Sequence, residues 1–293
     1  MHRISIRQKA PLLGALLLAV AAVFILSVSR PGAPVSIGAV RANPLNVTLT
    51  IATLNLWHDY PHYSLQQERL ETAQLLLQEL SPDLLCLQEA SRTPVVDSAA
   101  EALATGLNMQ GVVARANGNR NLIRFEEGEA VLTRGALRDT AAGELRPRAG
   151  FFEHRLALWA TVETVAGPVV VFSTHLTNQG GAVNAAQMGS LVDLVERQRR
   201  GLPAVVAGDF NAQEDTSQMR ALPEHWRDAF REAQPEASGA TSPDSGRRID
   251  YIFLVDGDSV RWKILEAGVF GANGVILSDH LGVWTQASLV PER

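Results

Sequence analysis

Near the end of the chain an acid and an imidazole stand side by side, Asp279-His280 within Ser-Asp-His-Leu. They close an ordered series of short polar motifs that each end an apolar run. Upstream in that series are Asn55 in Thr-Leu-Asn-Leu-Trp, Glu89 in Leu-Leu-Cys-Leu-Gln-Glu, and His175 in Phe-Ser-Thr-His-Leu. Asp209 and Asn211 follow in Gly-Asp-Phe-Asn, then Asp250 in Arg-Arg-Ile-Asp-Tyr-Ile. Carboxylates, amides and imidazoles at strand ends are what metal-assisted phosphoester hydrolysis requires. Acids hold a hard cation, and histidines move protons or offset phosphate charge. One such motif carries little information; the whole set in this order carries a great deal.

Glu89 ends a run too apolar to lie in water, so its carboxylate must be paired, hydrogen-bonded or metal-bound. Metal ligation is preferred over a salt-bridged strand end. Asp209 and Asn211 are two apart and share a face in extended backbone, where a carboxylate and an amide can orient a water and a phosphoryl oxygen. The alternative is an Asx turn in which both serve only the backbone. Neighbouring strand residues face opposite ways, so Asp279 does not orient His280. Asp250 is the natural partner, fixing the imidazole tautomer and supporting its charged form. His175 can donate to a phosphate oxygen or protonate a leaving group. Of the basic pairs, only Arg247-Arg248 stands near this chemistry, and Arg248 is the candidate substrate contact. His58 and His62 have a spacing that binds zinc on a helix, but Pro61 between them argues against one. The five tryptophans read as packing residues.

The elements that must position these residues read as an α/β domain. Val47, Leu49 and Ile51 alternate with polar residues in a strand leading to Asn55. Ser64-Leu-Gln-Gln67 has the form of a capping box for a helix that ends at Ser81-Pro82-Asp83. Residues 84–87 then form a buried strand ending at Glu89. A helix follows at 97–106, with strands near 112–115, 130–133, 156–164 and 168–174. Residues 117–127 and 145–152 read as loops. A helix over 185–200 precedes the strand 202–207, which delivers Asp209. The last strands are 249–255, 260–266 and 281–289, with a Gly/Asn loop at 271–274 before Asp279. Strands predominate between helices, so the sheets should be mixed.

With 293 residues, 46% hydrophobic, the chain suits one large domain. Its single cysteine, Cys86, excludes a disulfide framework and a thiolate zinc site. At the N-terminus Arg3, Arg7 and Lys9 precede an uncharged run, Pro11 to Ser29, and a Pro/Gly/Ala-rich stretch to Asn43. This reads as a signal anchor, or a signal peptide if cleaved, with the basic flank left in the cytoplasm and the rest exported. The expected division is a signal anchor or signal peptide at 1–29, a linker at 30–45 and a catalytic domain at 46–291. Beyond Ala42 the chain holds 21 basic and 31 acidic residues. That balance is poorly suited to general polyanion binding.

Taken together, the motifs resemble the endonuclease/exonuclease/phosphatase superfamily from Val47 to Val290. They are Asn55, Gln88-Glu89, Gly128-Glu-Ala-Val-Leu-Thr133, Thr174-His175-Leu176, Gly208-Asp-Phe-Asn211, Asp250-Tyr251 and Ser278-Asp279-His280. The resemblance implies an α-β-β-α sandwich of two mixed sheets, here preceded by the N-terminal transmembrane or signal segment. It implies a divalent metal, usually Mg2+ with Mn2+ as a substitute, held by Glu89 and helped by Asn55 and Asp279. Asp209 would align or deprotonate the attacking water, and Asn211 would hold that water or the phosphate. His280, oriented by Asp250, would bind the scissile phosphate, with His175 acting on the other side. One departure is Trp57, which stands where the abasic endonucleases of the superfamily carry an acid. That context resembles the neutral sphingomyelinase and uncharacterised bacterial branches more closely.

The expected activity is therefore hydrolysis of a phosphodiester by in-line water attack. The substrate would be a phospholipid headgroup or other exported phosphoester, with an extracellular or periplasmic nuclease acting on nucleic acid as the alternative. A membrane-anchored, non-catalytic binding module is the reading from another class. Retention of both His175 and His280 argues against it.

Overall fold

The computed structural model describes residues 6–28, 30–271 and 277–292. The chain begins with α1 (Ile6–Val28), β1 (Val35–Ile37), β2 (Thr48–Asn55), α2 (Gln66–Leu80), β3 (Leu84–Gln88) and α3 (Ala99–Gly106). It continues through β4 (Gln110–Asn119), the turn α4 (Arg120–Ile123), β5 (Phe125–Thr133), β6 (Leu137–Glu144), β7 (Leu156–Thr164) and β8 (Gly167–His175). Then come α5 (Gly181–Arg199), β9 (Ala204–Asp209), α6 (Ser217–Arg220), β10 (Trp226–Asp228) and α7 (Ala229–Ala233). The last strands are β11 (Asp250–Val255), β12 (Val260–Phe270) and β13 (Gly282–Pro291).

Two mixed sheets result, in the orders β1-β4-β5-β3-β2-β13-β12 and β10-β11-β9-β8-β7-β6. The parallel pairs are β2 with β3 and β8 with β9, each joined through a helix, α2 or α5. Three buried clusters hold the layers. One lies between the sheets, with Leu49, Ile51, Leu84 and Val131 meeting Leu158, Val171, Val205 and Ile252. A second packs α2 and α3 on the first sheet through Leu70, Leu77 and Leu103. A third packs α5 on the second sheet through Met188, Leu191 and Val195.

Strand periodicity explains how this core positions polar groups. Side chains two apart share a face. The inward series Leu49, Ile51 runs on to Thr53 and Asn55, and Leu84, Cys86 runs on to Gln88. In the other sheet, Val169, Val171 leads to Ser173 and His175, and Val205, Ala207 leads to Asp209. On β11 the same face holds Asp250, Ile252 and Leu254. The inter-sheet layer thus changes from apolar to polar at one end, and the chemistry collects there.

Several sequence expectations change. The region 117–127 is not a loop: β4 and β5 extend through it as a hairpin closed by α4, with Asn117 paired to Glu127 and Asn119 to Phe125. β6, at 137–144, was not expected. Its residues are half-buried apart from the exposed Arg138 and Asp139, without the alternation that marks a strand. The capping box does not form, because Leu65 occupies the N-cap of α2 in a left-handed conformation with φ 50° and no side-chain cap. Ser64 N instead donates to Asp59 Oδ2 at 2.9 Å, which closes a tight turn ahead of the helix.

The 30–45 stretch lies against the domain. β1 pairs antiparallel with β4, Gly32 N donates to Arg115 O, and Leu45 enters the inter-sheet core. The side chains of α1 are described for residues 15–27, and Leu16, Leu17, Leu18, Val20 and Val23 among them lie open to solvent. Among the described residues no helix is long and apolar enough to cross a membrane. Beyond Gly271, the loop expected at 271–274 lies outside the described residues, as do residues 1–5 of the N-terminal segment.

Candidate active site

The strand ends converge on Asp209. Its Oδ2 lies 3.2 Å from Asn55 Nδ2, 3.2 Å from His175 Nε2, 3.3 Å from Asn211 Nδ2 and 3.7 Å from His280 Nε2. Its Oδ1 accepts the Asn211 backbone N–H at 2.9 Å, so the Asx turn considered from sequence is present as well. Gly208 makes the approach possible. At φ 151° its backbone runs so close to β8 that a Cβ would fall 1.9 Å from Thr174 O. Three flanking residues adopt left-handed backbone that side chains disfavour: Trp57 at φ 49°, Glu89 at φ 52° and Asn211 at φ 49°. Such strain recurs where surrounding structure holds a functional group in place.

Asp250 lies opposite Asp209 in the β11–β9 register, and its Oδ2 is 2.8 Å from His280 Nδ1. Thr241 Oγ1 accepts the Ile249 and Asp250 backbone N–H groups at 3.1 and 3.2 Å, and Ser278 Oγ donates to Asn55 O at 2.7 Å. These contacts fix the non-strand segment 278–281 against both sheets. Burial alone would pull His280 down. The charge and hydrogen bond of Asp250, with Asp209 and Asp279 behind it, instead push it up to about 10. His280 is therefore an imidazolium at neutral pH. Burial, then the like charge of Asp250, push the Asp209 carboxyl up to about 7, against the pull of His280.

His175 behaves oppositely. Its Nδ1 is 3.0 Å from Arg155 Nη1 and its Nε2 is 3.2 Å from Asp209 Oδ2. A guanidinium has no acceptor, so Nδ1 must accept and Nε2 must carry the proton. Burial, then the charge of Arg155, hold this imidazole well below its usual range. Two histidines on one carboxylate thus sit in different states, one charged and one neutral.

Glu89, partly open to solvent, lies on the other side of Asn55. Its Oε1 accepts from Asn55 Nδ2 at 3.3 Å, and its Oε2 accepts the His58 backbone N–H at 3.0 Å. Asp279 is nearby, and partial desolvation under the surrounding chain together with the charge of Glu89 raises its carboxyl above the usual carboxylate range. Two carboxylates that repel one another at an open edge form a donor set that suits a hard divalent cation. Asp209, Asp250 and His280 also lie within 4.8 Å of one another, close enough to share an ion. There, however, the 2.8 Å bond between Asp250 and His280 already occupies the imidazole Nδ1, and His280 is cationic. A protonated imidazole is a poor ligand, whereas the carboxylates on the Glu89 side carry no such competitor.

Two expected site residues are placed differently. Asn55 turns its Nδ2 to Glu89 and Asp209 while its Oδ1 accepts Trp57 N–H at 3.0 Å, so the amide bridges the two carboxylates instead of presenting oxygen to a metal. Arg248 is buried away from the site. It donates to Glu214 Oε2 at 2.9 Å and to Asp228 Oδ1, and lies over the Tyr251 and Phe230 rings. His58 and His62 do not converge: His58 Nε2 is 3.3 Å from Glu89 Oε2, whereas His62 faces Asp59.

Sequence reasoning missed Arg155 and Glu127, and gave Glu129 no role although it stands in the Gly128–Thr133 motif. The two glutamates lie on the inward face of β5 and are buried. Burial holds Glu127 above the usual carboxylate range, and burial with the adjacent Glu127 holds Glu129 well above it. The one available signal was the spacing of two acids inside an apolar strand.

A model of the endonuclease/exonuclease/phosphatase family matches residues 52–280. The chain belongs to that family. Members of the family are typically metal-dependent phosphoester hydrolases. No match was found among curated proteins. The fold is similar to an endonuclease/exonuclease/phosphatase from Bacteroides vulgatus, at TM-score 0.66 and 19% identity over 83% of this chain and 99% of that one. It is also similar to an endonuclease/exonuclease/phosphatase from Beutenbergia cavernae, at TM-score 0.62 and 22% identity over 83% and 72% of the two chains. TDP2 from C. elegans has a TM-score of 0.62 at 16% identity, over 82% of this chain and 75% of that one.

Proposed function

We propose that this member of the family is a divalent-metal-dependent phosphodiesterase that acts by in-line water attack. The observation that carries the reading is the Asp209 carboxylate, held between a charged and a neutral imidazole and joined through Asn55 to Glu89. Asp209 orients the attacking water and takes its proton, for which a pKa of about 7 is well matched. Asn211 helps hold that water or a phosphoryl oxygen. His280, kept cationic by Asp250, binds the phosphate and offsets the charge that develops on it. His175 donates from Nε2 to a phosphate oxygen or the leaving group as a neutral donor. Mg2+, or Mn2+ in its place, would be held by Glu89 and Asp279, with Asn55 fixing the Glu89 carboxylate. When bound, it would supply Lewis-acid charge neutralisation at the phosphate.

We place the substrate among phospholipid headgroups and other exported phosphodiesters, supported by the acidic balance of the chain beyond Ala42. The N-terminal segment is proposed as an export signal that delivers the domain outside the cytoplasm, supported by its basic flank ahead of the uncharged run. The test is hydrolysis by the full chain with Mg2+, with and without chelator, beside His280→Ala. Phospholipid vesicles, a chromogenic phosphodiester and supercoiled plasmid are the substrates. Chelator-sensitive release of headgroup that His280→Ala loses supports the proposal. Plasmid nicking alone would replace it with a nuclease. No turnover of any substrate by folded, metal-binding protein would leave the binding-module reading standing.

A further inference from the structure

Arg155 lies just ahead of β7, largely buried, and is the one cation in hydrogen-bond contact with His175 among the described residues. Its Nη1 is 3.0 Å from His175 Nδ1. Its Nε and Nη2 are both 3.2 Å from Glu153 Oε1, and Glu153 in turn accepts from Thr177 Oγ1 at 2.8 Å. Thr177 N–H donates to Gln187 Oε1 at 2.9 Å, which ties the cluster to α5. On the inner side, Arg155 faces the buried carboxyls of Glu127 and Glu129, both of which feel its charge. The guanidinium is held from several directions with one N–H aimed at the imidazole.

We propose that Arg155 is a positioning residue that locks His175 as the tautomer with its proton on Nε2. This deepens the phosphodiesterase reading of the same site and rests on it for its functional consequence. The physical basis is the donor-only character of the guanidinium. Placed on Nδ1, it excludes the tautomer with Nδ1 protonated, because that would set two donors against each other at 3.0 Å. The proton is thereby kept on Nε2, 3.2 Å from Asp209 Oδ2 and within reach of anything that Asp209 orients. The arrangement also explains Asn211. Its Nδ2 lies 3.2 Å from His175 Nε2 but spends its hydrogens on Leu176 O at 3.0 Å and Asp209 Oδ2 at 3.3 Å, so it does not compete for the imidazole lone pair. A carboxylate partner at Nδ1, like that of His280, would favour the imidazolium; an arginine favours a neutral donor. The two histidines are set to different tasks by the sign of their partner.

The experiment is nitrogen NMR of the full chain labelled with 15N-histidine, with the His175 signals assigned by their absence in His175→Gln. Wild type should show His175 with Nε2 protonated and Nδ1 bare. Arg155→Met should mix the tautomers and lower kcat about 10–100-fold with little change in KM, the loss usual for a group that orients a functional side chain. Arg155→Lys, which restores a donor at Nδ1, should recover the single tautomer and part of kcat. A protonated Nδ1 in wild type overturns the assignment, even if Arg155→Met fails to fold. So does an unchanged tautomer in folded Arg155→Met. Because tautomer and turnover are read separately, a chain that hydrolyses nothing would defeat the phosphodiesterase reading and leave the tautomer lock to stand or fall on the nitrogen spectra.

Discussion

His280 Nδ1 lies 2.8 Å from Asp250 Oδ2 inside the polar end of the inter-sheet layer. The carboxylate is almost wholly buried and its second oxygen has no hydrogen-bond partner among the described residues, so its charge acts on the imidazole with little screening. That relationship holds His280 positive, which is the state that the proposed mechanism requires of it.

The first prediction concerns pH. Asp209 must be ionised to accept a proton, which favours activity above about 7, and His280 must be protonated, which favours activity below about 10. The profile of kcat/KM should therefore be a bell with its alkaline limb near 10. In Asp250→Asn the largest upward pull is gone and only Asp209 and Asp279 oppose burial, so that limb should move down by more than a unit. Activity at pH 8 should fall about 10²–10⁴-fold. An alkaline limb that stays in place would mean that Asp250 is not what keeps His280 charged. The sign for stability follows the same shift. The folded value of His280 is raised, so its contribution is complete below 6.5 and lost as pH rises through about 10. Thermal midpoints should fall across that window, and fall less in Asp250→Asn.

Metal dependence should map to Glu89. Wild-type protein should gain stability with Mg2+, about 2.7 kcal/mol at a hundredfold excess over Kd. Glu89→Gln should show no such gain and no Mg2+-stimulated turnover, while its midpoint without metal stays near wild type, since the side chain is partly exposed. Asp209→Asn should keep the Mg2+ response and lose turnover. The comparison is a melting series against added metal. A response lost in Asp209→Asn but kept in Glu89→Gln would move the cation to the Asp209, Asp250 and His280 trio.

Much of this site was legible before the fold was known, because strand parity is local. Once Leu49 and Ile51 face inward, Asn55 does too, and the same rule carries Val205 to Asp209 and Ile252 to Asp250. The pairing of Asp250 with His280 could also be anticipated, since Asp279 is adjacent in sequence and turned elsewhere. Arg155 could not be found this way. Its partner is 20 residues on, across the β7–β8 pair, and its surroundings in sequence read as an ordinary loop. Arg248 misled for the converse reason. It is two residues before Asp250, and strand parity would put the two on one face, but β11 begins only at Asp250. The chain ahead of the strand carries Arg248 over the Tyr251 ring instead, where Glu214 and Asp228 meet it. Sequence proximity to a residue of the site does not choose the side of the sheet.

Arg248→Met should therefore act on stability and leave substrate handling alone. The guanidinium is buried while Glu214 is largely exposed and Asp228 partly so, hence the loss should be smaller than the roughly 3–5 kcal/mol of a fully buried pair. Denaturant titration should show about 1–3 kcal/mol, with KM within about twofold of wild type. A raised KM at unchanged stability would return Arg248 to the substrate.

Gly208→Ala should be far more damaging than its size suggests. The added methyl would overlap Thr174 O in a backbone conformation that only glycine adopts readily, so the β8–β9 pairing must open at the point where it carries His175 and Asp209. A loss above about 3 kcal/mol is expected, in the range reserved for named backbone and core defects. Urea unfolding would measure it, and a loss under about 1 kcal/mol would mean that the strands separate there at little cost.

The last prediction is about where the folded domain starts. A chain beginning at residue 46 would lose Leu45 from the inter-sheet core, the buried Ile37, and the β1 ladder against β4. Burying each side chain is worth about 1.5–3 kcal/mol, and the bared β4 edge becomes a template for pairing with other chains. A chain beginning at residue 30 retains all of these contacts. Compared by thermal melting and light scattering, the longer form should stay monodisperse. The shorter one should melt several degrees lower, at about 2–4 °C for each kcal/mol lost, and associate as concentration rises. Equal midpoints would show that β1 adds nothing to the sheet it completes.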